Sequence, residues 1–227
     1  MLDDLKYIHS KDAQDTLGIA GKQWQMLETE YDLPALDIAV DNIVFAGMGG
    51  SALWALLATT WPGFTVPFEI WRRYDLPSYV SDKTLLIVSS YSGNTEETLS
   101  ALEAGEKAGA HIVVAAGGGK LVEIARKKGY PLTLLPQSAQ PRYAALNGLK
   151  SLVTILERAG LLAEDEAEKT LHKTAEFLKG QVAQWSPEIP TDKNPAKKLA
   201  LEVAGTSPVI YAGTKMFPAA YKWKISF

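Results

Sequence analysis

The chain has 227 residues, enough for one sizeable core or for one full domain with part of another. A hydrophobic share of 47% and a charged share of 22% are those of an ordinary globular protein, and a net charge of −3 gives no basic footprint for nucleic acid. Cysteine is absent, which excludes disulfides and thiolate metal sites. The start Met-Leu-Asp-Asp-Leu-Lys lacks the pattern of a signal peptide, and no apolar run reaches membrane-spanning length. A cytoplasmic protein acting on small molecules is the expectation, with no membrane and no nucleic-acid partner.

Apolar positions at helical spacing between Asp12 and Tyr31 (Leu17, Ile19, Ala20, Trp24, Leu27) predict one or two amphipathic helices ahead of the main fold. Ile43-Val44-Phe45-Ala46 is then a short apolar run that stops at a glycine cluster. Similar runs at 66–71, 85–89, 112–115 and 132–135 are short and rich in β-branched or bulky residues, as strands buried on both faces are. Helical segments at 52–60, 96–107 and 121–128 alternate with them. The alternation predicts an α/β fold with a doubly wound, parallel five-stranded sheet. Gly109 and Gly129 stand where two of the helices should end, and Asn94 or Thr95 is a suitable N-cap for the helix opening Glu96-Glu97. Long helices are expected at 143–158 and 163–184, and another at 195–204. The run 208–213 then repeats the pattern of the first strand, an apolar stretch ending in glycine, and a helical segment follows.

Two strand-to-helix loops carry chemistry. In Gly47-Met48-Gly49-Gly50-Ser51-Ala52 the small residues allow close backbone approach, and the helix start offers free N–H groups to an anion. The same residues satisfy the dinucleotide fingerprint G-x-G-x-x-[GA], with Glu69 as a candidate ribose-binding acid, so an NAD(P) site is a competing reading. A tight turn without any ligand is the third. The loop Ser89-Ser90-Tyr91-Ser92-Gly93-Asn94-Thr95 opens the next helix and places Ser90, Ser92 and Thr95 within six residues. Hydroxyls in that density at a helix start can donate several hydrogen bonds to phosphate oxygens, beyond what a capped turn needs. With a flavodoxin-like strand order, 2-1-3-4-5, both loops would meet at the topological switch point, where ligands bind in such sheets.

Gly-Met-Gly-Gly-Ser-Ala, Ser-Tyr-Ser-Gly-Asn-Thr-Glu-Glu-Thr and Gln140-Pro141-Arg142 together resemble the sugar isomerase (SIS) domain. With Asn194-Pro195-Ala196-Lys197-Lys198-Leu199-Ala200 and Ala220-Tyr221-Lys222-Trp223-Lys224, they resemble more narrowly the bifunctional phosphoglucose/phosphomannose isomerase family. The resemblance runs from about Asn42 to the last residue.

It implies aldose–ketose isomerisation between fructose 6-phosphate and glucose 6-phosphate or mannose 6-phosphate, through an enediolate and without a cofactor or metal. Such chemistry needs a phosphate anchor, a carboxylate base and a cation for the enediolate charge. The resemblance puts the phosphate anchor at Gly50, Ser51, Ser90, Ser92 and Thr95 and the catalytic cation at Arg142, and it implies a homodimer. It also implies a division into an N-terminal helical segment (1–40), an SIS domain (41–150), a helical connector (151–206) and an incomplete start of a second SIS domain (207–227). The family's glutamate base would follow Phe227, so this chain is expected to be truncated and inactive or weak. Glu96 and Glu97, on the first turn of the phosphate helix, are poor substitutes, and Glu202 is expected on an exposed helix face. His9, His111 and His172 are expected in structural or solvent positions. A non-catalytic phosphosugar-binding or regulatory module is the alternative, and an NAD(P)-binding domain stands behind it.

Overall fold

The computed structural model describes residues 1–137 and 143–226. Strands β1 (Asn42–Gly47), β2 (Phe68–Trp71), β3 (Thr84–Ser90), β4 (His111–Ala116) and β5 (Leu132–Leu134) form one sheet in the order β2-β1-β3-β4-β5. Every pairing is parallel, as the alternating pattern predicts, and the order is the flavodoxin-like one. Helices α1 (Leu5–Lys11) and α2 (Thr16–Gly21) and a 3-10 segment, Gln23–Glu28, precede the sheet. Crossover helices α3 (Gly49–Ala58), α4 (Glu96–Ala108) and α5 (Gly119–Lys128) follow β1, β3 and β4. Beyond the sheet come α6 (Ala145–Arg158), α7 (Ala167–Trp185), α8 (Pro195–Val203) and α9 (Phe217–Lys224).

The two-residue period of a strand divides the core into two layers. Ile43, Phe45, Leu85 and Ile87 pack with Trp54 of α3 and with Leu152, Ile155 and Leu156 of α6. Val44, Ala46, Leu86 and Val88 face the other way, against Ala101 and Leu102 of α4 and Leu121 and Ala125 of α5. All seven residues of β3 are buried, as the central strand of a doubly covered parallel sheet must be. Each fully buried aliphatic or aromatic side chain here contributes about 1.5–3 kcal/mol. Gly109 and Gly129 end α4 and α5 in the left-handed conformation, with φ of 74° and 71°.

A third apolar layer joins α6 to α7 through Val153, Ala167, Leu171 and Ala175, with Leu27 of the 3-10 segment. Within it lies a charged cluster. Lys150 of α6 is 2% exposed and its ammonium is paired with the Glu168 carboxylate of α7. Thr154 Oγ1 donates to the same carboxylate at 2.5 Å, and the Arg158 guanidinium stands 3.8 Å from it. Burial pushes the Glu168 carboxyl up, but the hydrogen bonds from Lys150 and Thr154 and the neighbouring positive charges outweigh it and hold it below its ordinary value.

The segment Asn194-Pro195-Ala196-Lys197 has a clear local reason. Asn194 is fully buried and caps α8 by accepting the Lys197 N–H at 3.1 Å, with Pro195 at the first helical position. Lys197 Nζ then ties the chain start to this helix, donating to Asp3 Oδ1 at 2.8 Å and to the Pro187 carbonyl at 2.7 Å.

Between Asp12 and Tyr31, where one or two amphipathic helices are expected, stand α2 and the 3-10 segment, and α1 lies ahead of that stretch. One expectation changes. The run 208–213, expected as a strand, forms none: it joins no ladder, and Val209 and Tyr211 are 71% and 91% exposed. A single extended segment has no partner for its N–H and C=O groups, so strand propensity alone does not order it. The helix expected after it is present as α9, which lies against α3 with Pro218 buried.

Candidate functional site

β1 has β2 on one side and β3 on the other, so the chain reverses its direction of travel across the sheet between β1 and β3. That reversal opens a crevice at the carboxyl ends of the two strands. Gly47 of β1 is in register with Ser89 of β3, which brings the loops after these strands side by side.

The first loop starts α3. Met48 occupies its N-cap position with extended backbone and makes no side-chain cap, and Gly49 follows at φ 51° with open space around it. Gly50 is half-buried on the first turn. Ser51 is buried, and its Oγ accepts the backbone N–H of Tyr91 at 3.0 Å. This bond fastens the first loop to the second across 40 residues of sequence.

In the second loop the buried Ser90 is the hub. Its Oγ accepts the Gly93 N–H at 3.1 Å, shares a hydrogen bond with Thr95 Oγ1 at 2.8 Å and lies 3.4 Å from Ser92 Oγ. Ser92 is exposed and Thr95 half-buried, so the three hydroxyls step from the interior toward solvent. Thr95 holds the N-cap position of α4, as expected, but its hydroxyl turns to Ser90 and makes no capping bond. The first-turn N–H groups of α4 are therefore left without a side-chain cap, as are those of α3.

A third loop, after β4, belongs to the same assembly and was not singled out in the sequence. Gly117 N–H donates to the Tyr91 carbonyl at 3.1 Å and Leu121 N–H to the Gly93 carbonyl at 3.0 Å. Asn94 Oδ1 accepts the Lys120 N–H at 3.1 Å. Gly93 and Gly119 have φ of 70° and 67°, and a Cβ on Gly93 would stand 1.6 Å from the Gly118 carbonyl oxygen. Two glycine-bearing loops thus meet backbone to backbone. The run Gly117-Gly118-Gly119 after a strand was the available signal. Gln137, just past β5, extends the network by donating to the Gly117 carbonyl.

Chemically, the crevice offers two uncapped helix N-termini, each with the partial positive charge of its dipole, and hydroxyls that can still donate. Such a place suits an anion with several oxygens. The four residues Ser51, Ser90, Ser92 and Thr95 are brought together with Gly50 at this edge, whereas Arg142 and its Gln140-Pro141 neighbours lie outside the described residues. Glu96 and Glu97 lie on the first turn of α4, with Tyr74 donating to Glu96 at 3.4 Å. Glu69, the candidate ribose acid, accepts a hydrogen bond from the Tyr79 hydroxyl, which burial and that carboxylate push up to about 12. His9, His111, His172 and Glu202 are all exposed.

Elsewhere, one groove of about 380 Å³ runs between α1 and α8, lined by Tyr7, Leu17, Trp185 and Ala200 among others. Among the described residues no cluster of His, Asp and Glu could hold a metal ion, and no helix is long and apolar enough to cross a membrane.

No protein-family model matches the chain. It is 37% identical over 189 residues to the bifunctional phosphoglucose/phosphomannose isomerase of Caldicellulosiruptor bescii, covering 82% of this chain and 55% of that protein. It is 34% identical over 193 residues to the protein of the same name from Thermoplasma volcanium, covering 82% and 56%. The chain therefore spans about half the length of the curated relatives it matches. Among solved structures, it superposes on tagatose-6-phosphate ketose/aldose isomerase from Escherichia coli with a TM-score of 0.53 at 17% identity, over 92% of this chain and 56% of that one. That last likeness is one of fold.

Proposed function

From the premise that this chain belongs to the family of the bifunctional phosphoglucose/phosphomannose isomerases, we propose that its two crossover loops form one phosphate cradle for a six-carbon sugar phosphate. Gly50, Ser51, Ser90, Ser92 and Thr95 are its anchor. The observation that carries the reading is the Ser51–Tyr91 hydrogen bond, which joins two uncapped helix N-termini into one unit at the switch point. The substrates in this reading are fructose 6-phosphate, glucose 6-phosphate and mannose 6-phosphate, and the protein is cytoplasmic.

Isomerisation moves a proton between C1 and C2 and leaves negative charge on an enediolate. Arg142 is the cation we assign to that charge. For the proton, the carboxylates nearest in sequence to the cradle are Glu96 and Glu97, and on the first turn of the phosphate-binding helix α4 they are poor candidates for a base at C1 and C2. The cradle thus accounts for binding of the sugar phosphate, and neither glutamate accounts for its turnover. We read residues 207–227 as the start of a second α/β unit. The exposed Val209, Tyr211, Met216, Phe217 and Trp223 support cover by further protein, including a second copy in a homodimer.

A thermal-shift titration with fructose 6-phosphate, glucose 6-phosphate and NAD(P), paired with a coupled isomerase assay, tests this. Stabilisation by the sugar phosphates with little turnover is expected. Ordinary turnover removes the argument about the base, and stabilisation by NAD(P) alone removes the cradle.

A further inference from the structure

Three crossover helices, α3, α4 and α5, point their N-termini toward the same edge of the sheet, and α5 alone among them receives a side-chain cap from another element. The N-cap position of α5 is Gly118, which has no side chain to cap with. Two of its first-turn N–H groups are nevertheless occupied. Lys120 N–H is taken by Asn94 Oδ1 at 3.1 Å, and Leu121 N–H by the Gly93 carbonyl at 3.0 Å. The second loop therefore caps α5 from 26 residues away. Asn94 is held for this task by its own bonds: its Nδ2 donates to the Ser92 carbonyl at 3.3 Å, and its N–H to Ser92 Oγ at 3.3 Å. The fit leaves no slack, because a Cβ on Gly119 would lie 2.4 Å from the Ser92 carbonyl oxygen and 2.8 Å from the Asn94 amide.

The geometry points to Asn94 as a positioning residue for anion binding, a conclusion that rests on the cradle reading above. It acts in two ways. It closes the α5 N-terminus, so an anion's oxygens are directed to α3 and α4. Its side-chain amide also holds the Ser92 carbonyl while its backbone N–H holds Ser92 Oγ, so that this exposed residue presents one orientation. Loss of the Asn94 side chain keeps the backbone bond to Ser92 Oγ but releases the Ser92 carbonyl and so loosens the loop backbone, and α5 competes for the anion with a free Lys120 N–H.

The test is titration calorimetry of the full chain with fructose 6-phosphate and with inorganic phosphate, alongside amide hydrogen exchange. Asn94→Ala should weaken both ligands about tenfold, in line with the lost side-chain bonds to the Ser92 carbonyl and the Lys120 N–H and the added loop freedom. In the same variant the Lys120 amide should exchange faster while amides in β3 are unchanged. Ala125→Gly, in the buried face of α5, serves as the stability control: it lowers the unfolding temperature and should leave both affinities as in the wild type. Asn94→Ala binding with wild-type affinity overturns the positioning role and leaves the cradle standing. Equal weakening by Ala125→Gly also overturns it, since general loosening of α5 would then suffice. If the wild-type chain binds neither ligand, the cradle falls and the role of Asn94 falls with it.

Discussion

The loops at the carboxyl edge of the sheet and the contact between α6 and α7 both bury polar atoms, but they leave them in different states. Between the helices, Lys150 finds a full counter-charge, and Glu168 also receives Thr154 and stands near Arg158. That cluster is closed on itself and faces apolar neighbours. At the loops, Ser90, Ser92 and Thr95 bond to one another and still have a donor to spare, and two helix starts lack caps. Saturated buried polarity holds elements together. Unsaturated polarity at an opening is a place for something else to bind.

The comparison can be broken from either side. Glu168→Ala leaves Lys150 as a buried, uncompensated charge and should cost about 3–5 kcal/mol of stability, read by urea unfolding, while changing sugar-phosphate affinity little. A large loss of affinity instead would mean that the two regions are coupled. Ser92→Ala combined with Thr95→Ala should do the opposite, weakening fructose 6-phosphate about 100-fold with unfolding nearly unchanged. Retained affinity in that double variant removes these hydroxyls from the anchor.

The smallest effect is one of pH. Glu168 has a lowered carboxyl pKa in the folded state, so its contribution is fully present above the ordinary carboxylate range. It is lost as pH falls through the lowered value. Acid unfolding profiles of the wild type and Glu168→Gln should therefore converge at low pH and separate above it. Parallel profiles throughout would show that ionisation of Glu168 does not matter.

Most of the sheet was legible because its strands are short apolar runs between helical patterns, and that alternation gave their parallel sense, whereas their order came from the flavodoxin-like template. The two anchoring loops were legible for a related reason, since glycines and hydroxyls at strand-to-helix junctions have few purely structural uses in that density. Asn94 was readable only as a local cap. Its real partner, Lys120 N–H, is a backbone group on another helix, and backbone groups leave no mark on the sequence. Gly117-Gly118-Gly119 was equally silent, since a glycine run gives no sign of which backbone will press against it. The stretch 208–213 misled in the other direction. Its apolar pattern is that of a strand, but pairing depends on a neighbour, and it has none among the described residues.

The bonds that assemble the crevice join Ser51 to Tyr91 and Asn94 to Lys120, so they exist only after β1, β3 and β4 are in register. A ligand that touches both loops meets no such surface on a partly folded chain. By mass action it then favours the completed sheet, by RT ln(1 + [L]/Kd). Supply of such a ligand would thus regulate how much folded protein survives, with metabolite level acting as a conformational chaperone for the domain that holds it.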